Sequence, residues 1–97
     1  MSTDVEVITE VKLKKPQLYK VVLLNDDFTP MPFVVEVLID VFNKSLQDAK
    51  ALTLEVHEKG RGIAGVFTKE VAEQKVDDTV AVASHYGHPL KAVCEPT

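Results

Sequence analysis

Four side chains in this sequence have the types and spacing that chemistry could use. Asn25, Asp26 and Asp27 follow one another, and His57 stands further along beside Thr53 and Val56. A carboxamide, carboxylates and an imidazole brought to one point make a set of hydrogen-bond acceptors. An ammonium group, with three donors and a charge, is what such a set would hold. Asn25, Asp26 and His57 are the residues that could converge in this way. Catalysis by the same groups would need a nucleophile, and no Ser or Cys stands in a recognisable elbow. A zinc site is not indicated either, because His57-Glu58 lacks the second histidine of a His-Glu-x-x-His pair and no Cys or His has zinc-site spacing. The plain alternatives stay open at this level. Asn and Asp also simply terminate strands by bonding nearby backbone N–H groups, and His57 also fits a helix surface.

The elements that must position these groups follow from periodicity. Tyr19–Leu24 is a β-prone apolar run that stops at the polar triad, so the triad lies at a strand end. Thr29 is placed to cap a helix with Pro30 at its first position, although Pro32 disfavours helical dihedrals at Met31 and moves the start towards itself. From Phe33 to Asn43, Val34, Val37, Leu38 and Val41 keep helical spacing. Ser45 with Asp48 opens a second helix, Ala49, Leu52 and Val56 form its stripe, and Lys59-Gly60 stops it. Thr53, Val56 and His57, at i, i+3 and i+4, share one face.

Ile63–Phe67 is expected to be a short strand in which Gly65 marks a bulge or a close backbone approach. Thr68 caps a third helix with Ala72, Val76, Val80 and Ala83 as its buried stripe, and Tyr86-Gly87 ends it. His88-Pro89 makes a turn into a last strand, Leu90–Cys94. The order is β-α-α-β-α-β. Three strands and three helices make an α+β two-layer domain, a small three-stranded sheet packed against the helices. Met31, Val34, Val56 and Leu90 are then able to wall an apolar hole beside the acceptors, and plain core packing is the alternative for Met31 and Val34.

Composition excludes other classes. The 97 residues make one domain. With 15 acidic and 11 basic residues the net charge is −4 and the cations are scattered, so there is no footprint for nucleic acid. Neither a membrane span nor a secretory leader is expected, which points to the cytoplasm. The single Cys94 rules out an internal disulfide and suits a reducing compartment, with a place in the core of the last strand. No dinucleotide or Walker fingerprint is present. Residues 1–15 are expected to form a flexible N-terminal extension ahead of a domain at 16–97.

Four motifs in order carry a resemblance: Tyr-Lys-Val-Val-Leu-Leu-Asn-Asp-Asp-Phe-Thr-Pro-Met at 19–31, Ala-Lys-Ala-Leu-Thr-Leu-Glu-Val-His-Glu-Lys-Gly at 49–60, Gly-Val-Phe-Thr-Lys-Glu-Val-Ala-Glu-Gln-Lys-Val at 65–76, and His-Pro-Leu at 88–90. Together they resemble the ClpS family, the adaptors of the Clp ATP-dependent protease, from about Pro16 to Glu95. The resemblance implies a small sheet with three helices, a fold also seen in the C-terminal domain of a ribosomal stalk protein. It implies an adaptor without catalysis, cofactor or metal, which binds N-degrons through a free N-terminal Leu, Phe, Tyr or Trp and hands them to a hexameric Clp ATPase.

By matching motif, Asn25, Asp26 and His57 would hold the α-amino group, and Asp27 would order the corner. Leu23, Leu24, Thr29, Met31, Val34, Val56 and Leu90 would line the pocket, with Thr53 at its rim. Glu70 and Lys75 would dock on the N-terminal domain of the ATPase, and residues 1–15 would engage it during delivery. Two positions depart from the family. Thr53 stands where Met is common, so altered selectivity at the first residue is expected, and Pro32 stands where a glutamate would complete a capping box. A neutral His57 accepting from a protonated amine implies binding that peaks around neutrality, from reference values of about 6.5 for imidazole and ~7.7–8.0 for the amine. The rival reading is a stalk-like interaction domain with no ligand pocket, tolerant of change at Asn25, Asp26 and His57.

Overall fold

Val21, Val22 and Leu23 are fully buried, which makes their strand, β1 (Leu18–Leu24), the centre of the sheet. In the computed structural model, which describes residues 16–97, β1 is followed by α1 (Met31–Asp40), α2 (Leu46–Lys59), β2 (Arg61–Thr68), α3 (Lys69–His85) and β3 (Lys91–Pro96). The order is the expected β-α-α-β-α-β. The extension expected over residues 1–15 lies outside the described residues. β1 pairs antiparallel with both neighbours, giving the sheet order β2-β1-β3.

Strand alternation sorts the central residues. Val21 and Leu23 face the helices and join a core that includes Val34, Val37, Leu38, Val56, Ala64, Ala72, Ala83, Leu90 and Ala92. Val22 faces the other way, screened by its register neighbours Ile63 and Val93. The β1–β2 register shifts between Val21 and Val22, so a bulge falls at Ala64, beside the glycine expected to mark one. A side chain at Gly65 would also meet the Phe67 ring at 2.6 Å. Gly62 lets β2 approach α2, since a Cβ there would lie 2.8 Å from Val56 Cγ2 and 3.0 Å from Leu52 Cδ1.

Helix ends and stripes differ from expectation in instructive ways. Pro30, extended at φ −65° and ψ 141°, occupies the N-cap position of α1, not Thr29. The Thr29 hydroxyl is bound elsewhere, as described below. α1 stops at Asp40 rather than Asn43, because Asn43 takes a left-handed φ of 57° and its N–H donates to the Ile39 carbonyl. In α2 the Ser45 hydroxyl accepts from the Asp48 N–H as expected, and Gly60, at φ 88°, supplies the left-handed stop. Thr68 sits at the cap of α3 but its side chain makes no capping bond.

The α2 stripe is Ala49, Thr53 and Val56, with Leu52 only half-buried. In α3 Thr79 is buried with Ala72 and Ala83, whereas Val80 is 43% exposed. Both threonines return their hydroxyls to a carbonyl one turn back, Thr53 to Ala49 and Thr79 to Lys75, each at 2.8 Å. Bonded in this way, each buries a methyl with no unsatisfied polar atom.

Candidate functional site

β1 ends at Leu24, and the backbone N–H of Asn25 then donates to the Gly60 carbonyl at 3.0 Å. That one bond ties the polar corner to the end of α2, one turn from His57. It brings together groups that lie far apart in sequence.

Asp26 builds the corner itself. Its Oδ1 accepts from the N–H of Phe28 at 2.8 Å and of Thr29 at 2.7 Å, and its Oδ2 accepts from the Thr29 hydroxyl at 2.8 Å. The result is an Asx-type turn that delivers the chain to Pro30 and α1. Burial opposes ionisation of Asp26, but the hydrogen bonds from Thr29 and Phe28, with the nearby His88, outweigh it and hold the carboxyl below its ordinary value. Asp27 is exposed, and the hydrogen bonds that order the turn all go to Asp26. The turn-ordering bonds expected of Asp27 are made by Asp26, and Asp27 is an exposed residue of the cavity lining.

Below this corner lies a cavity of about 250 Å³ lined by Leu24, Asn25, Asp26, Asp27, Thr29, Met31, Val34, Thr53, Val56, His57 and Leu90. Its wall is buried at Val34, Thr53, Val56 and Leu90, half-buried at Leu24 and Thr29, and 38% exposed at Met31. Asn25 and His57 are exposed at its rim. Acceptors thus stand around the mouth of an apolar hole smaller than a drug-sized ligand site and suited to one side chain.

One expected wall residue is absent. Leu23 does not line the cavity, because strand alternation places it, fully buried, in the core with Val21. Asp27, expected to order the corner, lines the cavity as well. Two adjacent aspartates cannot be assigned between turn and rim from composition, since either can close an Asx turn. Glu70 and Lys75 lie away from the cavity, on α3. Glu70 is exposed in the first helical turn. The Lys75 ammonium donates to the Val41 carbonyl at 2.7 Å, just past the end of α1, and sits 5.8 Å from the Phe67 ring centroid.

Among the described residues no group of three His, Cys, Asp or Glu side chains is placed to hold a metal ion. Within the same residues no helix is long and apolar enough to cross a membrane. The geometry defines a class: a two-layer domain with an apolar cavity whose mouth carries hydrogen-bond acceptors.

The comparisons with known proteins specify that class further. Residues 14–93 match the family described as ATP-dependent Clp protease adaptor protein ClpS. The ClpS adapter of Deinococcus radiodurans is 50% identical over 91 residues, 94% of this chain and 80% of that protein. The adapter of Paraburkholderia xenovorans is 52% identical over 86 residues, 89% of this chain and 83% of its own length. In three dimensions the chain is similar to Agrobacterium tumefaciens ClpS2 bound to L-phenylalaninamide, with a TM-score of 0.83 and 36% identity over 86% of this chain and all of that one. The chain belongs to the ClpS family of Clp protease adaptors. These are adaptor proteins and not enzymes.

Proposed function

We propose that this adaptor binds proteins by a free N-terminal residue with a large apolar side chain, Leu, Phe, Tyr or Trp, and delivers them to a hexameric Clp ATPase in the cytoplasm. The observation that carries the reading is the convergence of Asn25, Asp26, Asp27 and His57 around an apolar cavity sized for one side chain. Asn25, Asp26 and His57 hold the α-amino group, Asp26 through the acceptor capacity that the turn leaves on its Oδ2, and Asp27 lies beside them on the same cavity. Leu24, Thr29, Met31, Val34, Thr53, Val56 and Leu90 enclose the side chain. The phenylalaninamide bound by the Agrobacterium relative, a free amine on an aromatic side chain, has the matching chemistry.

Magnitudes are consistent with this use. Burying a Leu or Phe side chain is worth ~1.5–3 kcal/mol, and each hydrogen bond to a charged group nets ~1.5–3 kcal/mol. After ordering costs, these allow affinity of roughly micromolar or somewhat tighter. The pocket itself weighs against the stalk-like alternative, which needs none.

Thr53 is the selective element of the wall. Its hydroxyl is bonded to Ala49, so the methyl is the group left for the cavity, and a shorter rim residue than Met leaves room for β-branched first residues. Docking on the N-terminal domain of the ATPase uses α3 through Glu70 and Lys75, with Glu70 supplying the free charge. Titration of a labelled Leu-first peptide tests the assignment. Asn25→Ala and His57→Ala should each weaken binding at least tenfold without lowering the melting temperature, and unchanged affinity in both would remove the amine-site reading.

A further inference from the structure

A second apolar depression, about 400 Å³, lies between the first turn of α1 and the middle of α2 and is lined by Met31, Pro32, Val35, Lys50, Thr53 and Leu54. It shares Met31 and Thr53 with the pocket, but none of Asn25, Asp26 or His57. It therefore adjoins the pocket at the wall of Met31 and Thr53. Leu54 is 47% exposed and Met31 38%, although both belong to the most apolar stretch of this surface.

These positions offer a bound peptide a course. With the amine held at Asn25, Asp26 and His57, a chain that leaves across the wall of Met31 and Thr53 runs over this groove. In an extended chain, successive side chains point to opposite sides and residues i and i+2 share one side, about 6.8 Å apart. That step spans a wall one side chain thick.

We propose that this groove is a subsite for the third residue of the bound chain, selecting large apolar side chains there. The occupant is the same peptide whose first side chain fills the pocket, so the inference rests on the function proposed above and extends its substrate class. The first side chain enters the pocket, the second points to solvent, and the third lies on Val35, Pro32 and Leu54. Lys50, one helical turn before Leu54, stands at the rim, where the carbonyls of the departing chain pass. The pocket and groove share a continuous wall, and the groove repeats the pocket's apolar lining without its polar corner. A separate depression of about 410 Å³ is bounded by Leu24, Asn25, Asp26, Asp27, Phe28, Pro89 and Lys91.

Fluorescence anisotropy with free-amine peptides Leu-Gly-Xaa-Ser-Lys, labelled on the lysine, where Xaa is Gly, Ser, Leu or Phe, tests the subsite. The wild type should bind the Leu and Phe versions about fivefold more tightly than the Gly version, the gain of a partly buried apolar side chain. In Leu54→Ser and Leu54→Asp, both at an exposed position, that preference should vanish while affinity for the Gly version stays within twofold. Equal affinity for all four peptides, or a preference that survives both variants, would overturn the subsite while leaving the amine pocket intact. Failure of the Gly version to bind the wild type at all would instead overturn the pocket, and the subsite with it.

Discussion

Asp26→Ala offers the sharpest mechanical test of the corner. The substitution removes the acceptor for two backbone N–H groups and one hydroxyl, at 2.7 to 2.8 Å. Hydrogen bonds to an ionised partner net ~1.5–3 kcal/mol when protected. The bond to Phe28 is exposed and contributes little, and the two to Thr29 are part-buried. A loss of about 2 kcal/mol of turn stability is the reasonable sum, equal to roughly a thirtyfold shift towards open turns. Loss of the amine bond that Asp26 accepts lowers peptide affinity by about tenfold, and opening of the turn extends the loss to about thirtyfold where the open form becomes dominant.

The turn supports no core residue, so the fall in affinity should exceed the fall in overall stability. Titration with a Leu-first peptide should give affinity ten- to thirtyfold weaker in Asp26→Ala and an intermediate loss in Asp26→Asn, which keeps one oxygen acceptor. Protonation should act in the same direction. Because the folded carboxyl is held below its ordinary value, its contribution is complete above the unfolded value and is lost as pH falls through the folded one. The amide shifts of Phe28 and Thr29 should therefore stay constant from neutrality down to about pH 4 and move only below it. Asp26→Ala that binds within twofold of wild type would refute the reasoning.

Three further outcomes follow. Thr53→Met should weaken binding of Ile-first peptides severalfold relative to Leu-first ones, measured by the same titration; an unchanged ratio removes Thr53 as the selective residue. Gly62→Ala should cost about 1–3 kcal/mol in thermal or urea unfolding, because the new methyl meets Val56 and Leu52 at 2.8 and 3.0 Å, and the displaced Val56 should weaken peptide binding as well. Lys75→Ala should lower stability by roughly 1 kcal/mol, through loss of the bond to Val41 at the end of α1 and of the Phe67 contact, so ATPase docking by this variant is best compared with Lys75→Arg.

Periodicity and turn chemistry made the element order legible, because strand, helix and stop signals alternate cleanly from Tyr19 to Cys94. The phase of the buried stripes was harder. Hydropathy favours Val80 over Thr79, yet a threonine that bonds its own helix buries a methyl without penalty, and tertiary packing chose it. Leu23 and Leu24 are equivalent as residue types, and only the register of β1 against β2 and β3 sends the first to the core and the second to the pocket. Most residues that line the candidate site were nevertheless identifiable, since Asn25, Asp26 and His57 carry unusual chemistry near element ends. Their convergence was not readable from local sequence, because it depends on the Asn25 to Gly60 backbone bond across the chain.

The central claim is recognition of a charged N-terminus together with its side chain. One Phe-first peptide, measured by anisotropy with a free and with an N-acetylated terminus, tests it most directly. Acetylation removes the charge and two donors while the acceptors at Asn25, Asp26 and His57 stay in place, so the acetylated peptide should bind at least a hundredfold more weakly. Equal binding of the two forms would contradict the account.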